Sequence, residues 1–180
     1  MKHAFLLSTV VLAGLLATPA HAADRASLDC MATELGPVEI AKYQHIVGDT
    51  LVADGTRQDA ALAPVMAVVD TCKKKHGWSD AATHVASAIL FARLARPAVE
   101  AALTSDGVSI ATVERVYSGL PEAVRRDFTT PQASDASGVA AAQALIAARV
   151  DTSGRRARLI GMLIASLGIE EFWTARFAAA

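Results

Sequence analysis

Residues 71–96, TCKKKHGWSDAATHVASAILFARLAR, bring a helix stop, a helix start and the most apolar helix of the chain into one run. Lys73, Lys74 and Lys75 belong to the last turn of a preceding helix, where cations meet the partial negative charge of its end, and Gly77 terminates it. Ser79 can then accept from the free N–H groups of a new turn, with Asp80 adding negative charge at the same end. Beyond it, Val85, Ala86, Ala88, Ile89, Leu90, Ala92 and Leu94 wrap most of the circumference at about 100° per residue. A helix of that kind has to be covered on several sides, so the other elements must pack around it.

Those other elements also read as helices. Expected helical segments are 26–35, closed by Gly36-Pro37, then 37–53, with Ile40, Tyr43, Val47 and Leu51 on one face before an Asp54-Gly55 turn, and 57–75, where Pro64 should kink the helix or mark its true first turn. The central helix should continue through Pro97 to the turn at Ser105-Asp106-Gly107. Further segments are expected at 110–117, 121–128, 139–150, 155–167 and 169–177, with 129–138 as a polar connecting loop and Gly168 as an interruption. In 139–150, Val139, Ala142, Ile146 and Val150 recur at helical spacing, and the remaining positions are mostly uncharged alanines, a face that tolerates close helix approach. No alternating run of β-branched residues and no fixed repeat emerges. The expected fold is all-α: an irregular single-domain bundle of about seven to nine helices over residues 23–180, stapled by one disulfide.

Residues 1–22 carry the pattern of a secretory signal peptide: Lys2, the apolar run FLLSTVVLAGLLA, and Ala20-His21-Ala22 before the cut. The apolar run is shorter than the ~20 residues a bilayer span needs, so no stable span is expected after processing and the mature chain is placed in the periplasm or secreted. The whole chain has 17 basic and 18 acidic residues, and losing Lys2 makes the balance one charge more negative, which favours no nucleic-acid partner. Cys30 and Cys72 both enter the oxidising compartment and are expected to pair, tying the first helix to the end of the 57–75 helix. Closing such a loop is worth on the order of 4 kcal/mol in the chain-entropy account.

Chemistry is harder to find. His45, His76 and His84 do not share the three- or four-residue spacing of a helical metal pair, so no metal or other cofactor is expected. Thr83, His84 and Ser87 form a polar stripe on the central helix; if buried it needs partners, and it is the one place for a ligand pocket or a dispersed active site. Ser109, in GVSIA, resembles a nucleophile elbow only superficially, because no strand precedes it, and helix capping explains it. Asp54-Gly55 and Asp106-Gly107 lack the oxygen ligands of calcium loops. Glu170-Glu171 are read as favourable charges at a helix start.

Arg155, Arg156 and Arg158 oppose the dipole of the helix they open, so they are expected to lie on a solvated face or pair with Asp151 and Glu170 or Glu171, the alternative being an external anion or acidic partner. Ile169, Trp173 and Phe177 form one stripe, with Phe172 beside it, that either docks on the chain's own core or is offered to a partner. The composite expectation is an exported, non-catalytic helical protein that binds a protein partner or small molecule. The competing expectations are an enzyme with a dispersed site near His84 and a structural or stress-protective protein.

Overall fold

The computed structural model describes residues 23–52, 59–130 and 133–180. The proposed signal peptide and the Asp54-Gly55 turn lie outside the described residues. A 3₁₀ turn, Arg25–Leu28, is followed by α1 (Asp29–Val52), α2 (Asp59–His76), α3 (Asp80–Ser105), α4 (Ile110–Gly119), α5 (Glu122–Asp127), α6 (Asp135–Ala147) and α7 (Gly154–Gly168). A π-helical stretch, Ile169–Trp173, then leads directly into α8 (Thr174–Ala178). There is no strand among the described residues, and the helices form one bundle.

The local signals act where expected. Gly36 takes φ 72°, ψ 162° and breaks α1 into two pieces before Pro37, a conformation open to glycine at little steric cost. Ser79 Oγ accepts from the Ala82 N–H at 3.0 Å and starts α3, which runs unbroken through Pro97 to Ser105. Cys30 and Cys72 are bonded, with Cα atoms 6.0 Å apart, so the start of α1 is fixed to the last turns of α2.

α3 is the axis of the assembly: α1, α2, α4, α7, the π stretch and α8 all pack on it. Its N-terminal half, through Val85, Ile89 and Leu94, shares a core with Leu28, Met31, Tyr43, Val69 and Trp78. Its C-terminal half, through Val99 and Leu103, shares a second core with Val113, Tyr117, Leu145, Leu159 and Leu163. The continuous helical run from α7 to α8 also serves both, placing Leu159 to Ile164 in the second core and Phe177 in the first.

Two differences from the sequence expectation bear on packing. α6 starts at Asp135 rather than 139, because Ser134 caps it through the Ser137 N–H at 3.3 Å, so part of the supposed loop is helix. Gly168 does not interrupt anything: it is wholly helical at φ −62° and continues into the π stretch. Its absent side chain serves packing instead. A Cβ there would meet Thr129 Cγ2 at 3.0 Å and the Arg125 carbonyl oxygen at 3.2 Å, so the end of α5 and the turn after it rest on bare backbone.

Candidate functional site

The densest polar grouping is built on the π stretch. A π turn holds one residue more than an α turn of the same span, which changes the direction of the side chains that follow. Glu170 points to α3, where its two oxygens meet Arg96 Nη1 at 2.9 Å and Arg93 Nε at 3.6 Å. Arg96 also donates to Glu100 Oε1 at 2.5 Å and Glu114 Oε1 at 2.7 Å, so one guanidinium gathers carboxylates from α3, α4 and the π stretch. Glu171 turns the other way, accepting from Tyr117 Oη at 2.6 Å and from Arg125 Nη2 and Nε at 2.8 and 3.2 Å. Arg125 completes its set by donating to the Leu120 carbonyl at 2.8 Å. The reading of Glu170 and Glu171 as helix-start charges is therefore corrected: they sit inside a continuous helix and tie it to α3, α4 and α5.

The electrostatics fix the protonation states of Glu171, Tyr117, Arg96 and Arg125. The Arg125 hydrogen bonds, reinforced by Tyr117, hold the Glu171 carboxyl below the usual carboxylate range against the opposing effect of burial. Burial, then the neighbouring Glu171 carboxylate, push the Tyr117 hydroxyl well above its ordinary value. Burial disfavours the charged Arg96, but Glu100, Glu170 and Glu114 together outweigh it and hold the proton more tightly. A locked carboxylate, a locked phenol and two locked guanidiniums make a fastening between helices. A proton-transfer site needs pKa values brought near the working pH, and here they are driven away from it.

The residues singled out in the sequence do not gather into one site, although His84 and Trp173 meet. Thr83 and Ser87 are half-buried and turn back on their own helix, donating to the Ser79 and Thr83 carbonyls at 2.7 and 2.9 Å, while His84 is exposed with its ring 6.1 Å from that of Trp173. The supposed buried stripe is thus a partly solvated surface whose hydroxyls are already satisfied.

Arg155 forms a fork with both oxygens of Asp106 at 2.9 and 3.0 Å, and Arg156 pairs with Asp151; Arg158 is exposed. Neither Arg155 nor Arg156 reaches Glu170 or Glu171. Arg156 borders a polar cleft of about 300 Å³ between Asp106, Ser109, Thr112, Arg149 and Asp151, and Arg155 pairs with Asp106 in its wall. Ser109 there is the cap of α4, accepting from the Thr112 N–H at 3.3 Å.

Phe177 is fully buried, with its ring 5.2 Å from Trp78 at 87°. Trp173 is half-buried between His84 and the guanidinium of Arg176, which lies 5.3 Å from its ring centre, and Phe172 is half-buried under Arg126 at 4.7 Å. Trp78, which the sequence reading passed over, closes the first core and donates from Nε1 to Ser27 Oγ at 2.9 Å.

Among the described residues, α6 leaves an apolar face open. Its buried face is Ser137, Ala141 and Leu145, and on the opposite side Ala136, Val139, Gln143 and Ile146 are exposed, with Val139 at 55 % and Ile146 at 62 %. Val139 and Ile146, which recur at helical spacing in the sequence, thus face away from the core. From residue 136 to residue 148 there is no charged side chain. No protein-family model, no curated protein and no solved structure matches the chain.

Proposed function

We propose that this is an exported, non-catalytic helical protein that acts by binding another protein across the exposed face of α6. The observation that carries the reading is the run of thirteen uncharged residues from 136 to 148, presenting Val139 and Ile146 to solvent on an edge helix. Isolated exposed apolar residues are ordinary, but an uncharged stripe along a whole helix face is the composition of an interface centre. The leader-like pattern of residues 1–22 and the Cys30–Cys72 bond support an oxidising compartment outside the cytoplasm. Among the described residues no helix is long and apolar enough to cross a membrane.

A small-molecule role would fall to the polar cleft beside Asp106 and Asp151, and there Arg155 and Arg156 already neutralise both carboxylates. That favours the protein-binding reading. Its test is the double substitution Val139→Asp/Ile146→Asp, which should leave helix content and melting temperature near those of the parent chain while removing the protein that co-purifies with it. Unchanged co-purification sinks the α6 reading.

A further inference from the structure

Resting on the reading of α6 as a binding face, we infer that the face pairs with α6 of a second copy of this chain, antiparallel, about a two-fold axis. Ala136, Val139, Gln143 and Ile146 are spaced three, four and three residues apart, the alternation of a coiled-coil seam, and all four are exposed. The seam is bounded by one charge at each end. Asp135 is exposed in the first turn of α6, and Arg149 is exposed just past its last turn; neither has an ion-pair partner among the described residues.

The pattern is complementary to itself in one direction only. Antiparallel pairing that sets Val139 against Ile146 of the other copy also brings the two Gln143 amides together at the axis. An amide carries both donors and acceptors, so two of them can satisfy each other, and a lone polar residue in an apolar seam fixes register. The same register places Asp135 of each copy beside Arg149 of the other and opposes the two helix dipoles. Parallel pairing would instead stack Asp135 on Asp135 and Arg149 on Arg149.

Size sets the strength. α6 has 13 residues, which is about 20 Å of helix, and such a seam buries less than the ~800 Å² per partner of a standard interface. The pair is accordingly a weak, concentration-dependent dimer, with the terminal charges setting direction more than affinity.

The experiment is a sedimentation-equilibrium concentration series on the chain purified from the periplasm with its disulfide intact. The parent chain should rise from monomer mass toward twice that mass, and Val139→Asp/Ile146→Asp should stay monomeric throughout. Asp135→Arg and Arg149→Asp should each weaken the dimer by roughly fivefold, since each creates two like-charge contacts. An equimolar mixture of those two variants should regain it, because the mixed pair again joins opposite charges at both ends. A parent chain that stays monomeric at every soluble concentration overturns the pairing, and so does a mixture that fails to recover. If the parent is monomeric but the double aspartate variant still loses a co-purifying protein, self-pairing is wrong and the α6 reading stands. If the double variant loses neither dimer nor partner, both are wrong.

Discussion

The ring of Phe177 meets that of Trp78 edge-on, with centroids 5.2 Å apart and planes at 87°, closing the first core from the far end of the chain. Phe177 is fully buried and Trp78 nearly so. Phe177→Ala should therefore cost about 3–5 kcal/mol, as truncation of a buried aromatic does, and lower the melting temperature accordingly. Deleting 169–180 should be worse, since it also removes the Glu170 and Glu171 fastenings. A deletion variant that melts like the parent contradicts the docking of this segment.

Two glycines of α7 should respond in opposite ways to the same change. Gly161 has nothing within 4 Å of an added Cβ, so Gly161→Ala should stabilise by up to about 1 kcal/mol through helix propensity. Gly168→Ala gains the same propensity but drives a methyl into Thr129 and the Arg125 carbonyl, an overpacking that costs about 1–3 kcal/mol, so the net effect should be a loss. Denaturant midpoints of the two variants, measured side by side, check the sign.

Stability should decline at both pH extremes, and the Glu171–Tyr117 pair contributes at each. Glu171 is held below the ordinary carboxylate value by Arg125 and Tyr117, so its contribution is complete above about pH 4.3 and drains away as the pH falls through its lowered folded value. Asp127, hydrogen-bonded by Ser134 and Ser137, and Asp151, hydrogen-bonded by Ser153 and paired with Arg156, act in the same direction. Tyr117 is raised, so what its neutral form contributes is complete below about pH 10 and lost as the pH climbs through the folded value. Glu171→Gln should flatten the acid limb in a series of thermal melts while lowering stability at neutral pH.

Removing the staple should act locally. Cys30→Ala/Cys72→Ala frees a pair separated by 42 residues and should cost about 2–5 kcal/mol. Amide exchange should quicken first in α1 and α2, with the second core around Leu103 and Leu163 less affected. Equal acceleration in both cores would show that the bond acts on the whole bundle.

Signals carried by adjacent residues were legible in the sequence. Gly36-Pro37, the Ser79 and Ser109 caps, the Asp106-Gly107 turn and the cysteine pair each announce themselves within a few positions, and together with helical periodicity they gave the all-α bundle. Long-range partners were not. Glu170 finds Arg96 across 74 residues and Glu171 finds Arg125 across 46, so an acidic pair beside a glycine read as a helix start when it lies within one. Gly168 misled for the same reason, because its role is an approach by Thr129 that no local pattern records. In 129–138 the polar composition masked a real start signal, Ser134-Asp135 with Ser137 three positions on. On α6 the spacing of Val139 and Ile146 was visible, but which side the bundle covers depends on Ala141 and Leu145, and alanine-rich helices leave that choice to tertiary packing.

The Phe177 contact also orders events in time. Cys30 and Cys72 are both present once less than half of the chain has been made, so the bond can close early, on a segment whose core still lacks its last side chain. That core joins Leu28 and Trp78 to a residue about 100 or more positions later, a long loop to close and hence a slow step. Until residue 177 emerges, Trp78 has an uncovered flank, and the growing chain carries an unfinished hydrophobic surface. That flank stays uncovered from residue 78 to residue 177, a little over half of the chain's synthesis.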